Sequence, residues 1–402
     1  MGMGNIANTG MRAAMTNMEA ISNNIANANT VGFKRSRVNF IDLYPAGNGG
    51  ASGNAVGLGV SVSGIDQNFS TGGIESTGIN SDLSISRNGF FVMSDASSGQ
   101  TSYTRAGHFQ VDNNGYLYSL YSGARLQGYP ATNGQILPGS VPQDIQINVG
   151  SVPATASTTV SQQINLNANS VVPAAAFDPT DPATFNYQTQ FAVYDSLGNQ
   201  TPGTLYYIKT AANNWDVQIY VDGNNVGSGT LTFNTSGALT GTTGLNGVSY
   251  NPTTGATSPQ TFDINLAGST QYAKDSSSSG ATTDGFGPGS YSTYNIDKNG
   301  IVTATYSNRT SVVIAQVAVA TFLSPTNLQN IGTQSWLQTT SSGEANVNMA
   351  NSTNNIQPGA LEMSNVDLTT EMVNLLSAQY TFQANAQVET TYNQVMQTIL
   401  NL

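Results

Sequence analysis

The chain has 402 residues, a formal net charge of −11 and only 8% charged side chains, against about a quarter in average soluble domains. Eleven Lys and Arg facing 22 Asp and Glu argue against a nucleic-acid partner, because phosphate binding needs a basic face. With no Cys and one His there is no disulfide framework and no thiolate or multi-histidine metal site, so Ser, Thr, Asn, Gln and Gly must supply a polar, weakly charged surface.

The N-terminal segment is not a secretory signal: Met1 to Met18 carries a single Arg12 and no continuous apolar core. Its Met-Gly start lacks the Ser or Thr that myristoylation wants at position six, where Ile6 stands. An amphipathic helix is predicted over roughly Asn5 to Asn27. Ala7, Met11, Ala14, Met18, Ile21 and Ile25 alternate steps of four and three, the seam of a coiled coil. The helix breaks at Asn29-Thr30-Val31-Gly32, where Asn and Gly supply turn conformations. Phe33-Lys34-Arg35-Ser36-Arg37 is the densest basic cluster, and the Gly-rich stretch Gly47 to Gly59 reads as an extended connector.

From Leu83 the pattern turns to strands. Phe90-Phe91-Val92-Met93 is a short apolar run, and Asp112-Asn113-Asn114-Gly115 between Phe109 and Leu117 is a hairpin signal. The same turn chemistry recurs at Asp297-Lys298-Asn299-Gly300, followed by Val302, Ala304 and Tyr306 in alternation and by Val313, Val317 and Val319. Between these blocks, Phe191 and Val193, Leu205 to Ile208, Trp215 to Val221, and Leu231 with Phe233 alternate as strands. Ser276 to Gly280 reads as a loop. Residues of about 146 to 284 are expected to form a separate β domain inserted into the first one.

The last helix is expected near Asp367, whose carboxylate caps the first turn, with Glu371 favourably placed against the helix dipole. Val388, Tyr392, Val395, Ile399 and Leu402 repeat the steps of four and three. Two such stripes at the two ends suggest helices that pack on each other and on copies of themselves. No segment is apolar enough to span a bilayer.

Chemistry for catalysis is missing from the pattern. His108 sits in a predicted hairpin strand and serves as a polar strand residue; no G-x-S-x-G frames any Ser. Asp222-Gly223-Asn224 starts like a calcium loop but lacks the later ligands, and Gly57-Leu58-Gly59 completes no dinucleotide fingerprint. No catalytic, cofactor or metal residue is assigned.

Asn23-Asn24-Ile25-Ala26-Asn27, with Thr30, Gly32, Phe33 and Lys34, resembles the N-terminal signature of flagellar rod and hook proteins. Asn88-Gly89-Phe90-Phe91 and Tyr103-Thr104-Arg105 through Phe109 resemble their shared β domain. Leu361-Glu362, Ser364-Asn365-Val366-Asp367-Leu368 and Glu371-Met372-Val373 resemble their C-terminal signature. The length, the inserted β region and Gly128 to Ala131 resemble the hook members, since rod members are shorter.

The resemblance implies a mainly β chain with terminal α-helices and nested domains: a helical inner-tube domain (1–30 and 360–402), connectors (31–70 and 345–359), a β domain (71–145 and 285–344) and an inserted outer β domain (146–284). It implies a homopolymer of many copies forming a hollow, flexible tube, a universal joint between motor and filament, and no enzyme. Subunit assembly falls to Met11, Met18, Ile21, Ile25, Val388, Tyr392, Val395, Ile399 and Leu402. Implied partners are the distal rod, the hook cap, the hook–filament junction proteins and the type III export apparatus; the expected place is extracellular, reached without a cleaved signal. No cofactor is expected. The chain departs from cysteine-bearing hook proteins that crosslink covalently. A distal rod protein of the same family is the alternative. A secreted carbohydrate-binding β protein is a further one, with Tyr206, Tyr207 and Trp215 as a sugar platform.

Overall fold

The computed structural model describes residues 3–44, 57–132, 134–137, 139–350 and 356–401. They are mainly β, with one long helix at each end, α1 (Met3–Ala26) and α2 (Leu368–Leu400). The chain divides into two compact units. The first takes Met1–Ile147, Tyr294–Ala304 and Val312–Leu402; the second takes Asn148–Thr293 and Thr305–Ser311. Residues 285–293, expected in the inner β domain, fall in the second unit.

In the first unit, the fully buried strand Phe90–Ser94 pairs with Thr101–Thr104 on one side and with Arg125–Thr132 on the other. Alternation divides its side chains between two faces. Phe90 and Val92 join Tyr103, Tyr129, Ala318, Ala320 and Trp336 in one core. Phe69 packs edge-to-face on Phe90 and Trp336, with ring centroids 5.4 and 5.3 Å away. Phe91 packs edge-to-face on Phe109 at 5.2 Å. The predicted hairpin is formed: Phe109–Val111 pairs with Leu117–Ser119, and the Asp112 carboxylate accepts from the amides of Asn114 and Tyr116. The Asp297 carboxylate accepts from Asn299 and Ile301 in the same way.

The expected connectors are instead built into this unit. Strands β1 (Ser36–Asp42) and β2 (Val60–Gln67) form an antiparallel pair that packs on α1, with Val38 buried. A two-stranded ribbon is marginal alone, so the helix supplies the surface that holds it. Asn346–Met349 pairs with Ser311–Thr321, and Ile356–Pro358 with Leu83–Ile85. Most of the Gly47–Gly59 connector lies outside the described residues; at its end, Leu58 donates its amide to the Leu43 carbonyl and extends the ribbon.

The second unit is built on a five-stranded antiparallel meander running from Tyr187 to Thr243. Its alternation is the one expected: Val193, Leu205, Tyr207, Trp215, Val217, Ile219, Leu231 and Phe233 are buried on one face. That face packs against Val160, Ile164, Leu166, Phe262 and Ile264. These come from short strands that include two parallel pairings, Thr159–Ser161 with Gln260–Asn265 and Ile164–Asn167 with Thr270–Tyr272.

Candidate assembly site

The motifs near the two ends meet at one buried carboxylate. Glu362 accepts from Lys34 Nζ at 2.6 Å through Oε1 and from Arg105 Nη1 at 3.0 Å through Oε2. All three side chains are almost wholly buried. The Gly72 amide donates to the same Oε1 at 2.9 Å, and Lys34 also donates to the Ser70 carbonyl at 2.7 Å. Burial pulls the Lys34 ammonium below the usual lysine range, and the Arg105 charge adds to that, while Glu362 opposes it. Two cations and one carboxylate leave the cluster one positive charge in excess. Gly32 fits this junction for a backbone reason. Its φ is +70°, its amide donates to the Glu362 carbonyl at 2.7 Å, and a Cβ there would lie 2.6 Å from the Ala106 nitrogen.

The asparagines of the motif do separate jobs. Asn24 is buried at the end of α1 and closes a two-way bond with the Ser36 backbone, both at 2.8 Å, at the start of β1. It also donates to Glu371 Oε2 at 3.3 Å, so it ties α1 to α2. Asn27 donates to the Asn23 carbonyl and accepts from the Thr30 hydroxyl, which closes the turn after α1. The Phe33 carbonyl accepts from the Asn365 amide at 3.5 Å. Asn365 Oδ1 accepts from the Arg35 amide at 2.8 Å. Asp367 caps α2 as expected, accepting from the Thr370 amide at 2.7 Å, and these bonds hold its carboxyl below the usual carboxylate range.

The helices run antiparallel: Gly4 lies beside Tyr392 and Glu389, Gly10 beside Asn385, and Asn24 beside Glu371. The face of α1 turned to α2 carries Gly4, Ala7, Ala14, Ile21 and Asn24, all buried. Met11, Met18 and Ile25 are half-buried on its shoulder. The expected α2 seam needs a larger correction. Glu371, Leu375, Ala378, Phe382, Asn385, Glu389 and Tyr392, at steps of four and three, form the less exposed face. Of the predicted seam only Tyr392 lies there. Val388, Val395 and Ile399 are exposed, and Leu402 lies outside the described residues. The reason is that α1, which starts at Met3, already meets Tyr392 at Gly4, so the last turns of α2 run beyond it. Val373, Leu376 and Tyr380 lie on the side of α2 turned away from the less exposed face, while Val388, Val395 and Ile399 lie close to Tyr392 around the helix, all of them exposed. The inward face escaped the hydrophobic pattern because it is interrupted by Glu371, Asn385 and Glu389.

Other candidates resolve as structure. His108 Nδ1 lies 3.4 Å from the buried Asp82 carboxylate. Asp222-Gly223, both at positive φ, form the tight turn between Asn214–Val221 and Asn224–Phe233. Tyr207 and Trp215 are fully buried, and the indole donates to Gln271 at 3.0 Å, so neither offers a sugar platform. Tyr206 faces Phe177, Phe185 and Tyr220, with centroids 5.0–5.5 Å away.

The terminal segments that build this junction match family models: the flagella basal body rod protein over 5–34 and the flagellar basal body rod FlgEFG protein C-terminal over 357–402. The flagellar hook protein FlgE/F/G D1 domain matches 84–169, and the flagellar basal body protein FlaE D2 domain matches 165–286. The flagellar hook protein FlgE of Escherichia coli K12 is 37% identical over 404 residues, 98% of either chain. The chain belongs to the flagellar hook protein family. The hook protein FlgE of Borreliella burgdorferi is 32% identical over 434 residues, again 98% of each chain. A crystal structure of Helicobacter pylori flagellar hook protein FlgE2 aligns with a TM-score of 0.50 at 13% identity, covering 72% of this hook-family chain and 98% of that one; it shares the fold. No helix among the described residues is long and apolar enough to cross a membrane.

Proposed function

We propose that this hook-family chain is the structural subunit of the bacterial flagellar hook, and that its copies assemble through the exposed apolar side chains of α2 into a hollow helical tube. One observation carries this reading: α2 leaves Val373, Leu376, Tyr380, Val388, Val395 and Ile399 exposed, apolar side chains for which the subunit supplies no partner. Apolar side chains left exposed in this way are an association surface, since each gains about 1.5–3 kcal/mol on full burial. The nested arrangement, with the second unit inserted in the β region of the first, leaves the terminal helices together as an inner tube and the β units outside. A surface poor in charge suits contacts that exchange as a universal joint bends, because few ion pairs would lock them. The tube as export conduit, transport by the type III apparatus without a cleaved signal, and contacts with the distal rod, hook cap and junction proteins belong to the same reading. So does a structural rather than catalytic role.

Tyr380→Ser with Val388→Ser tests it. Both side chains are exposed in the subunit, so thermal unfolding of the monomer should be unchanged while tubes, seen by negative-stain microscopy, should vanish. Tubes of normal yield from this variant would overturn the assignment of these side chains.

A further inference from the structure

The last two turns of α2 carry Val395, Met396, Ile399 and Leu400, 40–79% exposed, with no Asp, Glu, Lys, Arg or His after Glu389. Elsewhere on the same helix pair is an open, mostly apolar groove. α1 contributes Gly10, Ala13 and Ala14, α2 contributes Ala378 and Thr381, and the β1–β2 ribbon contributes Phe40 as one wall. The groove too has no ionisable lining residue. Small side chains form its floor, so it has room for aliphatic side chains from outside. Resting on the hook reading, we propose that the α2 tip of one copy seats in this groove of a second copy.

Three observations select that occupant. The tip cannot reach the groove of its own chain: Ile399 and Thr381 are eighteen positions apart on one straight helix, about 27 Å at a rise of 1.5 Å per residue. Both surfaces are uncharged and mostly apolar, so joining them removes hydrocarbon from water without stranding a charge. Finally, knob and groove are different patches of one chain. A contact between unlike patches repeats head to tail and, where its rotation does not close into a ring, generates an open helical assembly, whereas a self-complementary patch closes as a dimer. A tube-forming chain needs the first kind.

The absence of cysteine makes the test clean. Thr381→Cys and Ile399→Cys, both at exposed positions, are introduced singly and together, polymers are assembled under reducing conditions, then oxidised and run on denaturing gels. The expected result is a ladder of crosslinked multimers from the double variant and monomer from each single one. Dimers from Ile399→Cys alone, meaning tips packed on tips, would overturn the proposal. So would tubes of the double variant that give no ladder. Ser377→Cys, one turn away in the same groove, replaces Thr381→Cys if that pair does not assemble. If neither double variant assembles although every single variant does, the seating is refuted. A wild-type chain that forms no tubes sinks the hook reading itself, and this proposal with it.

Discussion

Removing the Glu362 charge should cost more than removing the Lys34 charge, and the buried junction fixes the order. Glu362 is the sole carboxylate bonded to two buried cations and also accepts from Gly72. Glu362→Gln leaves Lys34 and Arg105 uncompensated at 0–1% side-chain exposure. Breaking a buried pair this way costs about 3–5 kcal/mol. Lys34→Met removes the excess cation instead, leaves Arg105 and Glu362 matched one to one, and fills the space with a chain of similar length. Replacement of buried charge by apolar atoms is often close to neutral, so a cost below about 2 kcal/mol is expected. The chain holds two tryptophans, Trp336 in the first unit and Trp215 in the second, so a Trp215→Phe background makes fluorescence report the first unit alone. In urea, with a slope near 3 kcal/mol/M, Glu362→Gln should lower the midpoint by about 1–1.7 M and Lys34→Met by less than about 0.7 M. There is also a pH signature. Because the folded Lys34 binds its proton more weakly than the unfolded chain does, its contribution is present above the ordinary lysine pKa and lost as pH falls through the lowered value. The stability difference between wild type and Lys34→Met should therefore shift toward wild type at alkaline pH. Equal costs for the two substitutions, or a larger one for Lys34→Met, would refute the charge argument.

Gly32→Ala should destabilise the first unit by more than about 2 kcal/mol, since φ of +70° and a Cβ 2.6 Å from a backbone nitrogen add strain to a clash; a urea midpoint within error of wild type would contradict this. Removing Val395 to Leu402 should abolish tubes while both tryptophan-reported transitions stay in place, because that segment is exposed as far as it is described. Gln394 and Gln397, both exposed, are offered as lumen-facing residues; replacing them with Leu or with Lys should slow secretion of later filament subunits through hooks of normal length, and unchanged secretion in both variants removes the assignment.

What could be read from the sequence was local. The Asp367 cap depends on four consecutive positions, and the Asp112 turn on five, so residue identity alone nearly fixes the conformation. The strands of the second unit announce themselves because one face is buried and the other is not. The α1 stripe was legible in period but displaced, since hydrophobic counting ignores Gly4 and Asn24, which the structure uses for close approach and hydrogen bonding. The Lys34–Glu362 pair joins residues 328 positions apart, and no spacing rule reaches that far. Lys34 stands in the densest basic cluster of the sequence, and only the fold buries it. The β1–β2 ribbon was missed for a related reason: its stability comes from α1 rather than from its own pattern.

The chain spends its few charges unevenly, and that distribution bears on how a hook subunit can be firm within and compliant between copies. Of 11 Lys and Arg, two are sealed around Glu362, where segments from three distant parts of the sequence converge. A slip of one residue in any of them would leave a charge buried without a partner, a penalty of several kcal/mol, so the cluster specifies register more than it adds stability. The faces proposed to meet other copies are the opposite: exposed apolar side chains of α2 and an uncharged groove. Contacts of that kind have no fixed geometry to lose, because dispersion and apolar burial vary smoothly as surfaces slide, whereas ion pairs and hydrogen bonds are lost over an ångström or so. Directional interactions are thus concentrated where the fold must not move, and non-directional ones where neighbouring subunits must.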